Sequence, residues 1–134
     1  MPNPVTTAYA ITTTVDLPFD GAVERVRAEL AAEGFGVLTE IDVQATLENK
    51  LGVQVDRHLI LGACNPQLAH RGLAIEPDLG VLLPCNVVVR ADGAQVRVSA
   101  MEPVAAMQIA ANPELAPLAA EAHERLERAL SRLP

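Results

Sequence analysis

The apolar and polar positions in the first third of the chain follow two different periods. Residues 9–15 alternate in a β-branched run, a period of two that is typical of a strand. Residues 18–33 carry an apolar stripe at helical spacing, and Pro18 and Asp20 suit the first turn of a helix. The stripe comprises Phe19, Ala22, Val23, Val26 and Leu30. Gly34 can take the left-handed conformation that closes a helix, so the pattern predicts one strand followed by one helix.

The middle of the chain predicts two further strands. Residues 36–42 return to an extended pattern, and residues 56–64 form another run that favours a strand. Between them, residues 43–50 fit either a short helix or a long turn.

A hairpin is indicated later in the chain. Residues 80–90 are strongly β-forming, but Pro84 cannot donate a ladder hydrogen bond and predicts a bulge or a kink. Asp92 and Gly93 are a two-residue turn signal, after which residues 95–100 return antiparallel to the preceding strand.

Three helices in the second half begin at a proline. Asn65-Pro66 is a cap followed by a first-turn proline, and it opens a helix that reaches about residue 75. A short helix is predicted over residues 103–111, and Asn112-Pro113 opens the long amphipathic helix that ends the chain. Its apolar stripe is Leu115, Leu118, Ala122, Leu126, Ala129, Leu130 and Leu133.

This order of elements predicts an α+β fold in which helices cover one face of a largely antiparallel sheet of about five strands. No repeat, linker or low-complexity tract divides the chain. We therefore expect residues 1–8 to form an N-terminal tail and residues 9–133 to form a single domain.

Composition and charge exclude several functions. The chain has two Phe, one Tyr and no Trp, so it offers little material for base stacking, and its net charge of −7 repels polyanions. We expect no nucleic-acid partner. Residues 1–10 lack Lys and Arg and do not resemble a secretory signal, and no apolar run approaches the roughly 20 residues of a membrane span. The expectation is a soluble, cytoplasmic protein whose two cysteines are free thiols.

The two cysteines are the sharpest candidates for chemistry. Cys64 directly precedes the helix opened by Asn65, and a helix N-terminus can lower the pKa of a thiol and make it nucleophilic or metal-binding. The alternative is a small buried side chain that fills the strand-helix corner. Cys85 faces the core unless a bulge at Pro84 turns it, in which case it can approach Cys64 to form a redox pair or two soft metal ligands.

Histidine does not complete an evident site. About 20 Å of strand separates His58 from Cys64, so a Cys-His dyad needs Cys85 and His58 to meet across strands. We expect His70 to be exposed and His123 to border the final apolar stripe. No phosphate-binding loop, nucleophile elbow or histidine-rich metal motif is present.

Four motifs, in order, carry a family resemblance. They are Glu33-Gly34-Phe35-Gly36-Val37-Leu38 with Ile41-Asp42-Val43-Gln44-Ala45-Thr46-Leu47, then Ala63-Cys64-Asn65-Pro66, Leu82-Leu83-Pro84-Cys85, and Met101-Glu102-Pro103. Over about residues 9–130 the sequence resembles the family called domain of unknown function 302. The resemblance implies a small α+β fold with a curved antiparallel sheet, found chiefly in bacteria and archaea and often self-associated, with no assigned activity. Because the Asp-Val-Gln run recurs in the family, Asp42 and Gln44 become candidate lining residues.

Three hypotheses follow for function. The first is a non-enzymatic accessory domain, acting as a homodimer, that binds a small ligand, a thiol or a metal ion near Cys64, Asn65 and Cys85. The second is an enzyme that uses Cys64 as a nucleophile or redox thiol. The third is a protein-interaction module without a small-molecule site.

Overall fold

The computed structural model describes residues 4–134, which form one six-stranded antiparallel sheet with helices. The strands are β1 (Val5–Thr6), β2 (Ala10–Val15), β3 (Gly36–Asp42), β4 (His58–Cys64), β5 (Cys85–Asp92) and β6 (Gln95–Met101), in the spatial order β1-β2-β6-β5-β4-β3. Every neighbouring pair is antiparallel. The predicted α+β class is confirmed.

Within residues 4–134, five α-helices connect or follow these strands. They are α1 (Phe19–Ala32), α2 (Val43–Leu51), α3 (Pro66–Ile75), α4 (Pro103–Gln108) and α5 (Ala116–Ser131). Short 3-10 turns cover Pro77–Leu82 and Pro113–Leu115. Residues 43–50, left open between a helix and a turn, belong to α2.

Local signals position the first elements. Pro18 occupies the N-cap position of α1 without a side-chain cap hydrogen bond, and Gly34, with φ of 85°, follows the end of this helix in the predicted left-handed conformation. A Cβ atom at Gly34 would also lie 2.9 Å from Nδ2 of Asn65, so this position is both conformationally and sterically suited to glycine. The chain therefore turns sharply from α1 into β3, beside the end of β4.

The main core lies between one face of the sheet and helices α1 and α5. Its buried side chains from the sheet include Leu61, Val87, Val89 and Val98, and the helices contribute Val26, Leu30, Leu126 and Leu130. The predicted stripe of the last helix is buried along its whole length. Such an aliphatic core needs none of the aromatic residues that this chain lacks.

A second, smaller core lies beyond the end of the sheet. There α3 and the 3-10 turn pack against the first half of α5 through Leu68, Leu79, Leu115, Leu118 and Ala122. The boundary between the two cores is the region where β4 ends and β5 begins.

An ion-pair network ties α1 to α5. Glu33, which is buried, accepts hydrogen bonds from Arg128 at 3.0 Å and from Arg132 at 2.9 Å, and Glu29 accepts one from Arg132 at 2.7 Å. These contacts fix the register between the two helices that cover the sheet.

Several predicted boundaries are wrong. Residues 80–82 belong to a 3-10 turn rather than a strand, β5 begins only at Cys85, and Val81 is 84% exposed instead of facing the core. The reason is Pro84, which has no backbone N–H for the ladder and therefore precedes the strand instead of kinking it. The hairpin loop is Gly93-Ala94, since Asp92 and Gln95 still pair.

The ends of the chain also differ in detail from the prediction. α4 ends at Gln108 rather than near residue 111, and Asn112-Pro113 opens a 3-10 turn that leads into α5. Residues 5 and 6 of the predicted tail pair with β2 as an additional edge strand. Residues 1–3 of that tail lie outside the described residues. They also belong to the segment, residues 1–10, that does not resemble a secretory signal. Within residues 4–134, no helix has the length and apolar character needed to cross a membrane.

Candidate functional site

The two cysteines lie at the same end of the sheet. Cys64 is the last residue of β4 and is half-buried, whereas Cys85 is the first residue of β5 and is buried. The register places Ala63 directly opposite Cys85, so Cys64 is one residue beyond that pair. Both side chains are free thiols and both line one cavity.

Asn65 fixes the junction between β4 and α3. Its Oδ1 accepts a hydrogen bond from the backbone N–H of Leu68 at 3.1 Å, which is the predicted N-cap. Pro66 then occupies the first helical turn. Asn65 is buried and lines the same cavity as the cysteines, but its carbonyl oxygen is engaged in the cap. The cap formed by Asn65 therefore places Cys64 directly before the N-terminus of α3.

The cavity lies between the main core and the smaller core and has a volume of about 50 Å³. Its walls are almost entirely apolar. Besides the cysteines and Asn65, they include Phe35, Leu68, Gly72, Leu79, Met107 and Leu118. A single water needs roughly 10–15 Å³ and several polar partners, so the space suits a few apolar atoms better than a water cluster.

Gly72 shapes one wall of this cavity. A Cβ atom there would lie 2.6 Å from Cδ2 of Leu79, so the glycine lets the 3-10 turn approach α3 closely. Helices α3 and α5 and the 3-10 turn therefore all contribute walls to the cavity.

Burial controls the acidity of both thiols. Burial raises the pKa of the Cys64 thiol, and it raises the pKa of the Cys85 thiol to about 11, with a smaller contribution from the nearby Cys64. The expectation was that the helix N-terminus lowers the Cys64 pKa, whereas burial raises it. Both groups are neutral thiols at neutral pH.

The candidate metal ligands Cys64 and Cys85 have no further metal-binding side chains grouped with them in the part of the chain that the structure describes. Among residues 4–134, no group of three or more His, Cys, Asp and Glu side chains could hold a metal ion. Cys64 and Cys85 therefore supply at most two sulfur atoms, fewer than the three protein ligands of a catalytic zinc or the four of a structural one.

Asp42 and Gln44 lie at the opposite end of the sheet from the cysteines. Asp42 pairs with Leu59, five residues before Cys64 on β4, a separation of about 17 Å along the strand. Its Oδ1 caps α2 by accepting from Ala45 N–H at 2.9 Å, and Nε2 of Gln44 donates to the Val55 carbonyl at 3.1 Å. The structure gives both residues local roles and does not bring them to the cavity.

The three histidines lie on three different elements, β4, α3 and α5. His58 pairs with Arg90 at the far end of β4, while Cys85 pairs with Ala63, so no dyad forms between His58 and Cys85. His70 is exposed on α3. His123 takes part in a contact that sequence reasoning missed: its Nδ1 lies 2.9 Å from Oε2 of the buried Glu102.

Glu102 anchors the element beside the cavity. Its carboxylate accepts from the backbone N–H groups of Val104 at 2.9 Å and Ala105 at 3.0 Å, and so caps α4. The available signal was the pair Glu102-Pro103, which has the same cap-plus-proline form as Asn65-Pro66. His123, which contacts this carboxylate, lies 21 residues later in the sequence, and no local sequence pattern indicates that contact.

The fold and site define a small α+β domain with an apolar cavity beside two cysteines. The family model for the domain of unknown function DUF302 matches residues 11–133, and the chain belongs to this family. The structure is similar to the crystal structure of an uncharacterized conserved DUF302 protein from Bacillus stearothermophilus, with a TM-score of 0.89 and 30% sequence identity. That similarity covers 96% of this chain and 100% of the other. Among curated proteins, none matches this sequence.

Proposed function

We propose that this domain is a non-enzymatic binding protein that takes a small apolar ligand, of which an apolar thiol is one type, into the cavity beside Cys64 and Cys85. The observation that carries the proposal is the shared apolar cavity, into which both cysteines and Met107 place polarizable sulfur-containing side chains. A cavity of about 50 Å³ accepts only the end of a larger ligand or a molecule of a few heavy atoms.

The raised thiol pKa values favour binding over catalysis. A cysteine nucleophile needs its thiolate, and burial disfavours the thiolate at both positions. His58, the histidine considered as a partner for Cys85, lies at the opposite end of β4 and cannot remove the proton. Two free thiols in an acidic domain also fit the cytoplasmic location that we propose.

A titration with 1-propanethiol and 1-propanol, followed by methyl NMR, tests this function. Saturable shifts confined to lining residues such as Leu68, Leu118 and Ala122 are the expected result. The alcohol should bind at least about fivefold more weakly, because moving a hydroxyl from water into an almost entirely apolar cavity costs more than moving a thiol, which is a weak hydrogen-bonding group. Equal binding of the two probes, or shifts spread over the surface, would contradict the proposal.

A matched pair of variants adds a control. Ala69→Leu adds apolar bulk at the cavity wall and should abolish the saturable shifts, whereas Ala28→Leu, on the exposed face of α1, should leave them unchanged. Retained binding in the Ala69→Leu protein would show that the probe binds elsewhere.

We also propose that the domain acts as a homodimer through the segment formed by β3, α2 and the following loop. Five of its large apolar side chains are exposed: Leu38, Ile41, Leu51, Val53 and Val55. Helix α2 has nine residues and buries none of them, although short helices depend on packing for stability. Exposed apolar surface marks an interaction site, and a two-fold interface would bury the same patch of both copies at once.

A further inference from the structure

The face of the sheet away from α1 and α5 carries two arginines and a histidine in one cross-strand row. Arg90 and Arg97 are direct cross-strand partners on β5 and β6, and His58 on β4 pairs with Arg90 on its other side. Val89 and Val98, one residue away in the same pairs of strands, are buried in the core, so the two arginines point to the opposite face.

Two arginines placed directly opposite each other contrast with the acidic character of the chain as a whole. Like charges placed directly opposite each other destabilise a sheet, and the protein as a whole has a net charge of −7. Asp92 lies 4.0 Å from Arg90, but within residues 4–134 Arg97 makes no salt bridge. An anion bound between the two guanidinium groups would remove the repulsion and accept hydrogen bonds from both.

An apolar groove continues from this row along the same face. Val88 and Ser99 are the next cross-strand pair on this face after Arg90 and Arg97, and both line a groove of about 350 Å³. Its other walls include Tyr9, Leu82, Met101 and Ile109. This volume is within the roughly 300–1,000 Å³ of typical small-molecule sites, in contrast to the cavity beside the cysteines.

The two arginines and the adjoining apolar groove together suit a ligand with an anionic head and an apolar tail. From Arg90 to Asn86, which lines the groove, the strand runs about 13 Å. Tyr9 and Ile109 are 76% and 73% exposed, so their apolar surface is available to a ligand. A carboxylate at the arginines would leave its hydrocarbon chain lying over Val88 toward Ile109.

We propose that the open face of the sheet binds a medium-chain carboxylate, with its carboxylate between Arg90 and Arg97 and its chain in the groove. The carboxylate accepts hydrogen bonds from the two guanidinium groups. Burial of the chain against Val88, Met101 and Ile109 supplies the apolar part of the affinity. This site is separate from the cavity beside Cys64, and it does not depend on the function proposed for that cavity.

Calorimetric titration with decanoate, octanoate and decanol tests the proposal on the full chain, with decanoate kept below its micelle concentration. Decanoate should bind, decanol should bind at least tenfold more weakly, and octanoate should bind about fourfold more weakly per methylene removed if those methylenes are fully buried. Equal affinity for decanoate and decanol, or no decanoate binding, would overturn the proposal.

Variants locate the site. Arg97→Gln should weaken decanoate binding at least tenfold and Ile109→Asp should abolish it, whereas Arg71→Gln, on α3, should leave it unchanged. The alkylation rate of Cys64 should not change when decanoate is bound. Unchanged affinity in the Arg97→Gln protein, or protection of Cys64, would place the ligand elsewhere and overturn the assignment.

A membrane surface is the competing partner for a cationic, apolar face. Vesicles of phosphatidylglycerol distinguish it from a monomeric ligand in a flotation assay. Vesicle binding without binding of monomeric decanoate would overturn the proposal, and so would a dimer that masks the open face and excludes decanoate. Binding of monomeric decanoate with no vesicle flotation is the result that we expect.

Discussion

His123 contacts two carboxylates at once: its Nδ1 lies 2.9 Å from Glu102 and its Nε2 lies 3.1 Å from Glu127. A neutral imidazole has only one N–H, so both contacts are hydrogen bonds only when the ring is protonated. Burial acts to lower the His123 pKa, but Glu102 and then Glu127 outweigh it, and the net pKa is raised. The contact joins α5 to the residue that caps α4.

This histidine should make stability depend on pH. Because the pKa of His123 is raised on folding, its contribution is fully present below the unfolded value of about 6.5 and is lost as pH rises through the folded value. We expect His123→Gln to lose about 1 kcal/mol of unfolding free energy at pH 6 and less at pH 8.5. Urea denaturation at both pH values measures this difference, and an equal loss at both would contradict it.

Glu102 should show the opposite dependence. Burial acts to raise its pKa, but the Val104 N–H, His123 and the Ala105 N–H outweigh burial, so the pKa is lowered on folding. The stabilisation is present above the unfolded pKa and is lost as pH falls through the folded one. Glu102→Gln should therefore cost about 1–2 kcal/mol near pH 6 and less near pH 3, as measured by urea denaturation. The exposed Glu124→Gln variant is the control and should be close to neutral at both pH values.

The fold was predictable wherever its signals are local. The limits of β3, the cap Asn65-Pro66, the end of α1 at Gly34 and the buried stripe of α5 all depend on neighbouring residues in sequence. The strand predicted from residue 80 failed because the missing N–H of Pro84 was taken to kink the strand, whereas it delays the start of the strand to Cys85.

The candidate site was predictable only in part. The placement of Cys64 at a strand-helix junction follows from local motifs, but the shared cavity with Cys85 depends on the register between β4 and β5. The direction of the Cys64 pKa depends on whether desolvation or the helix dipole is larger, and burial is a tertiary property. For the same reason, no sequence pattern revealed the contact between Glu102 and His123.

Exposed apolar side chains on β3 and α2 make the homodimer testable. Leu38→Glu and Leu51→Glu should each shift the protein from dimer to monomer in sedimentation equilibrium, because a charge would have to be desolvated at the interface. Val81→Glu introduces the same charge at an even more exposed apolar position outside this segment and should leave the dimer intact. A monomeric wild-type protein, or equal effects of all three variants, would contradict the proposed surface.

The thiols should differ in accessibility. Cys85 is buried with a pKa of about 11, so it should react with alkylating reagents only when the protein unfolds. Cys64 is half-buried and should react slowly at neutral pH and faster as pH rises. Mass spectrometry of the alkylated native protein should therefore find one modified cysteine. Rapid modification of Cys85 in the native state would contradict its placement in the core.

The most direct test of the central claim, that Cys64 lines an apolar ligand cavity, is its rate of modification by two maleimides that differ only in charge. N-ethylmaleimide and maleimidopropionic acid are compared in the native protein, with each rate divided by that for the urea-unfolded chain. Measurement near 1 M salt, where the screening length is about 3 Å, suppresses repulsion by the acidic surface. The account predicts that the apolar reagent is favoured at least tenfold in the native protein. Equal normalised rates for the two reagents would contradict the account.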